Sequence, residues 1–107
     1  LRLIQYVKEN GHPIGCVIAD GKNKFGWSLV NEDLGDRFCK DRAVLIASGR
    51  IKPLDETLDF FIRKFNARLG EEWLVEDMLK SFPRAGHLFL EIISISNRAE
   101  KYFKTEI

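Results

Sequence analysis

The chain has 107 residues, 45% hydrophobic and 31% charged, a balance typical of globular domains that excludes wholesale disorder. Seventeen basic residues oppose sixteen acidic ones, and a net charge of +1 excludes the overall electrostatic footprint of a non-specific DNA-coating protein. A chain of this length has room for one hydrophobic core, thin for an isolated monomer, so a homo-oligomer is expected.

No stretch reads as a signal peptide, and no apolar run approaches the ~20 residues needed to span a bilayer. No membrane association is expected, and a start methionine or tag is expected ahead of Leu1. Cys16 and Cys39 lie in different predicted elements beside apolar residues, and both are expected to be reduced, buried thiols of a cytosolic protein. Without a CxxC or a Cys/His cluster, neither a zinc site nor any other cofactor is expected.

Residues 1–30 read as a β-meander. Residues 1–8 alternate as a strand, and Asn10-Gly11 supplies the positive φ angles of a tight hairpin. Residues 14–19 form a compact apolar run that ends at Asp20-Gly21. Residues 24–30 then place Phe25, Trp27 and Leu29 on one face. Residues 31–35 read as a loop and Asp36 as an N-cap, so a helix is predicted within 36–50, stopped by Gly49. Its wheel puts Cys39, Ala43 and Ile46 on the buried side, pairs Arg37 with Asp41, and leaves Arg42 close to the core.

Pro53 suits the first turn of a further helix carrying Leu54, Leu58, Phe61, Ile62, Phe65 and Leu69 up to Gly70. Residues 71–82 read as its partner in a helical hairpin over 53–82, with Leu74, Val75, Met78, Leu79 and Phe82 apolar. Residues 87–96 can be read as a strand, but Leu88, Ile92, Ile95, Ala99 and Tyr102 repeat at helical spacing. A single helix over 85–104 is therefore predicted. The fold class is α+β: an N-terminal three-stranded antiparallel sheet followed by three to four helices.

Enzyme templates fail in turn. His12 flanks a turn, His87 lies near a helix start, and there is no GxSxG elbow, HExxH or P-loop. The carboxylate pairs Asp33/Asp36, Asp55/Glu56 and Glu71/Glu72 each precede or open a helix, where the macrodipole favours them. No catalytic residue and no enzymatic activity are expected.

Two cationic clusters stand out. Arg37, Lys40, Arg42 and Arg50 read as lying on one helix, next to Phe38 and just after the strand bearing Trp27. Guanidinium forks bind phosphate and stack on aromatic faces, so such a set can hold a nucleotide. The competing reading is a solvated helix with its cations tied to Asp33, Asp36 and Asp41. Arg98, Lys101 and Tyr102 form the second cluster, with an exposed basic helix end over a buried Tyr102 and Phe103 as the alternative. The candidate ligand-binding residues are Trp27, Arg37, Phe38, Arg42, Arg50, Arg98, Lys101 and Tyr102.

The segments Gly15-Cys16-Val17-Ile18-Ala19, Gly26-Trp27-Ser28-Leu29, Asp36-Arg37-Phe38-Cys39-Lys40, Ile46-Ala47-Ser48-Gly49-Arg50 and Arg98-Ala99-Glu100-Lys101-Tyr102-Phe103-Lys104 together resemble a family of short phage and prophage proteins. The closest likeness is to the Thoeris anti-defence sponges. That resemblance implies a non-enzymatic, homo-oligomeric phage protein in the cytoplasm of an infected bacterial host. It would sequester a cyclic ADP-ribose-like or other cyclic nucleotide signal. The helical stretch 53–82 departs from the family pattern, which puts the pocket and the assembly in doubt. The alternative is a small phage module that binds nucleic acid through Phe25 or Trp27, or a host protein through the Phe60-Phe61 or Trp73 surface.

Overall fold

The computed structural model describes residues 2–30 and 37–104. Its strands are β1 (Leu3–Glu9), β2 (His12–Ala19) and β3 (Phe25–Leu29). Its helices are α1 (Lys40–Ser48), α2 (Leu54–Leu69), α3 (Val75–Ser81) and α4 (Pro83–Tyr102). The three strands form one antiparallel sheet in the order β1-β2-β3, so the expected α+β class, sheet first and helices after, is the one adopted.

Local chemistry accounts for the meander. Asn10 (φ 51°) and Gly11 (φ 80°) adopt the left-handed conformations that let a two-residue turn follow the twist of its strands. The β1/β2 register slips once, between Val7 and Lys8, leaving Ile14 as the extra residue of a bulge. From Ile14 to Ala19 every residue of β2 is buried. An alternating strand would bury only one face, so this continuous run requires cover on both.

The two covers are unequal. On one face Leu3, Val7, Val17, Ala19 and Phe25 pack with Phe61 and Phe65 of α2, Met78 of α3, and Leu88, Phe89, Ile92 and Ile95 of α4. Phe65 is the hub of an aromatic cluster, with Phe61, Trp73, Phe82 and Phe89 ring centroids 5.2–6.4 Å away. On the other face Cys16 and Ile18 pack with Ala43 and Ala47 of α1, with Tyr6, Phe38 and Val44 around them. Small residues allow the close approach: a Cβ on Gly26 would overlap the Ala47 carbonyl.

Short ties fix the helices. Phe25 and Lys52 exchange two backbone hydrogen bonds of 2.9 Å, pinning the α1–α2 connection to the outer edge of β3. The Asn23 side chain in the β2–β3 turn accepts the Leu54 N–H and so serves the start of α2. Gly70 (φ 81°) ends α2 as expected, and the periodic stripe of α4 is buried at Leu88, Ile92, Ile95 and Ala99, so 87–96 is helix and not strand.

Three expectations are corrected. First, α1 begins at Lys40, with extended Cys39 at its N-cap position. Arg37 and Phe38 therefore precede the helix, Arg50 follows it, and the Arg37–Asp41 pair of adjacent turns does not form among the described residues. The expected loop 31–35 and the Asp36 cap lie outside the described residues. Second, the buried phase of α1 is Ala43 and Ala47, which leaves Cys39 exposed and Ile46 37% exposed. Third, α3 covers only Val75–Ser81. Glu71 to Leu74 stay non-helical: the Trp73 indole donates to the Asn66 side chain at 2.7 Å, the Leu74 N–H donates to Asp77, and Leu74 and Val75 are exposed.

The tight face makes a clear prediction. Gly26→Ala should lower stability by about 1–3 kcal/mol through overpacking, whereas Gly49→Ala, whose Cβ would find ordinary contact distances, should change it little. Denaturant midpoints of the two variants check this.

Candidate functional site

A small cleft lies where α1 starts against β2 and β3. Gly15, Ser28, Leu29 and Val30 form its sheet side, and Arg37, Phe38, Cys39, Arg42, Ala43 and Ile46 form its helix side. Val30 and Arg37 stand at its rim. Phe38 is held by an edge-on contact with Tyr6 at 6.0 Å, and Lys40 sits 5.3 Å from the Tyr6 ring centre. Cys39, next in the chain after Phe38, is extended and sits at the N-cap position of α1.

Electrostatically the cleft is open-handed. Arg37 and Arg42 are exposed and make no ion pair or hydrogen bond with any described residue. The first helical hydrogen bond of α1 runs from the Ala43 N–H to the Cys39 carbonyl, and among the described residues no side-chain cap serves the N–H groups before it. Two guanidinium forks and a helix N-terminus thus border one small cleft, groups whose chemistry suits an anion. The cleft measures about 60 Å³, far below the ~300–1,000 Å³ of pockets that enclose a drug-sized ligand. It has room for a phosphate or carboxylate head, and the rest of a larger ligand would lie along Phe38 and the rim.

The structure brings Arg37, Phe38 and Arg42 together, and it puts the other five candidates elsewhere. Trp27 and Arg50 form a second place, with the guanidinium 4.4 Å above the indole and within 3.4 Å of the Trp27 carbonyl oxygen. Phe60, 56% exposed, stacks on the same indole at 5.7 Å. Arg98, Lys101 and Tyr102 border a third hollow, beside Leu3 on the opposite face of the sheet from α1. There Arg98 donates to the Gln5 side chain, whose amide donates in turn to Glu91 at 2.7 Å. Tyr102 is 48% exposed and Phe103 alone is buried, so the alternative reading of that helix end is corrected at Tyr102. Phe25, expected as a stacking platform, is buried and unavailable for one.

Sequence reasoning missed Gly15, Ser28 and Cys39 as cleft residues. The legible signal was the pair of small residues Gly26 and Ser28 on the second face of β3, which announces an element packed close. Ser28 is buried and lies 3.4 Å from the Cys16 thiol. Burial pushes that thiol above its ordinary pKa, opposed in part by the Ser28 hydrogen bond. His12 and His87 are both exposed and outside the cleft, and among the described residues no group of three His, Cys, Asp or Glu can hold a metal ion. Among those residues, too, no helix is long and apolar enough to cross a membrane.

No protein-family model matches the chain, and neither the curated proteins nor the solved structures contain a significant match.

The two cysteines should separate chemically. At pH 8 Cys39, exposed at the cleft, should be alkylated within minutes, while Cys16, buried and held neutral, should react only on unfolding. Mass-resolved alkylation with and without denaturant reads both sites, and equal rates in the native protein would contradict the assignment.

Proposed function

We propose that the protein binds a small anionic ligand of cyclic nucleotide type in the α1 cleft and holds it without chemical conversion. The observation that carries this reading is the pair Arg37 and Arg42, two guanidinium groups without a described partner at the start of α1. An exposed guanidinium fork can meet a phosphate through two parallel charge-assisted hydrogen bonds, and the helix N-terminus adds positive potential beside it. Phe38 lies at the same rim and offers a face for a base or ribose.

A binding role also suits the residues that are absent from the cleft. Among the described residues its lining holds no histidine or carboxylate, and the one thiol among them is that of Cys39. The resemblance to the Thoeris anti-defence proteins points the same way, toward a phage protein that sequesters an immune signal. The homo-oligomer and the cytoplasm of an infected host belong to that proposal.

Isothermal titration with cyclic ADP-ribose-type and cyclic dinucleotide ligands tests the reading. Arg42→Ala and Arg37→Ala should each weaken binding about 10- to 100-fold, the loss of one charge-assisted hydrogen bond, with the circular dichroism spectrum unchanged. Ligand recovered after incubation should be chemically intact. Undiminished binding by the folded double variant would remove the cleft from consideration, and a converted product would replace binding with catalysis.

A further inference from the structure

Strand β1 is an edge of the sheet, and among the described residues nothing pairs with its outer side. The Asp20 N–H donates to the Lys24 carbonyl and the Val30 N–H to the Ile14 carbonyl, so Ile14, Cys16 and Ile18 of β2 turn toward β3. Gly15, Val17 and Ala19 therefore turn toward β1, where they face Val7, Gln5 and Leu3. The backbone N–H and C=O groups of Ile4, Tyr6 and Lys8 are left pointing outward, and no described residue hydrogen-bonds to them. The opposite edge of the sheet is different: Lys52 bonds to both backbone groups of Phe25, and Arg50 reaches the Trp27 carbonyl. An open edge of seven residues, carrying a 38% exposed Ile4, is a template for another strand.

Helix α4 runs antiparallel to β1 beside this edge. Arg84 pairs with Glu9 at 3.1 Å, Glu91 and Arg98 both bond to Gln5, and Leu3 lies with Tyr102. Glu91 and Arg98 are two helical turns apart and so share a face of α4, one on each side of the level of Gln5. Opposite charges placed symmetrically about one residue of an open strand are self-complementary under a two-fold rotation.

We propose that β1 pairs antiparallel with β1 of a second copy, with Gln5 at the two-fold axis, so that Arg98 of each copy meets Glu91 of the other. Ile4 then faces Tyr6 of the second copy in a hydrogen-bonded pair, which covers the exposed isoleucine, and Leu3 faces Val7. The two sheets become one of six strands, and the two α4 helices lie side by side over it. Charge selects this register. With Tyr6 on the axis, Lys8 would face Ile4 and Glu9 would face Leu3, while Glu91 and Arg98 would lose their mutual alignment. The one unfavourable pair of the chosen register, Arg2 against Lys8, is moderated because Arg2 already contacts Asp20 at 3.4 Å. The contact is isologous and closed, so it stops at a dimer.

This interface does not rest on the ligand reading, since the cleft lies on the other face of the sheet. Sedimentation equilibrium on the purified chain should give twice the monomer mass of 12.4 kDa. Glu91→Arg and Arg98→Glu should each raise the dimer dissociation constant roughly tenfold or more, and the two together should restore it. Ile4→Pro removes only an outward N–H and should give a folded monomer by circular dichroism. If that variant fails to fold, the charge swap still decides. A wild-type monomer at all concentrations overturns the proposal, whether or not the edge accepts an added extended peptide. So does a dimer that is indifferent to the charge reversals. Arg37→Ala and Arg42→Ala should leave the mass unchanged.

Discussion

A three-stranded sheet gains independent stability only when its apolar surface is covered. Here the middle strand is buried from Ile14 to Ala19 on both sides, so neither cover can be dispensed with. One is thick, the aromatic cluster around Phe65 and the aliphatic stripe of α4. The other is a single helix seated on alanines over Cys16, Ile18 and Gly26. The candidate site follows from the thinness of that second cover. Because α1 begins only at Lys40 and approaches closely, the sheet beyond its first turn at Gly15, Ser28 and Leu29 is left as the floor of a cleft.

Much of this frame could be read from the chain. Asn10-Gly11 and Asp20-Gly21 marked the turns, Gly70 stopped α2, and the spacing of Leu88, Ile92, Ile95 and Ala99 favoured helix over the competing strand. In each case a local rule and the packed core demanded the same thing. At α1 they diverge. Cys39, Ala43 and Ile46 make an acceptable apolar stripe, but the sheet beneath accepts small residues, so the helix settles on Ala43 and Ala47. Phe38 makes an edge-on contact with Tyr6, and Cys39 after it is extended, so the helix starts only at Lys40. In the same way, the indole hydrogen bond of Trp73 to Asn66 occupies residues that the sequence pattern assigned to α3.

The cations were legible as residues and not as an arrangement. Eight candidate side chains fall into three places, and within each a different interaction decides what the cation does. Arg50 is engaged with Trp27, and Arg98 with Gln5. Only Arg37 and Arg42 among the candidate arginines stand without such a partner among the described residues, and they stand at one cleft. A guanidinium with an aromatic face or an amide beneath it has less to gain from an anion than one that lacks both. That difference is the reason the proposed ligand is placed at the α1 cleft and not at the other two hollows.

The central claim is that this cleft retains an anionic ligand whole. Native mass spectrometry of the protein purified from cells with an active cyclic-nucleotide defence tests it most directly. The account predicts one phosphate-bearing adduct per chain, released intact on denaturation and lost in the Arg42→Ala variant. A spectrum free of adducts, from protein that also takes up no added cyclic nucleotide, would contradict it.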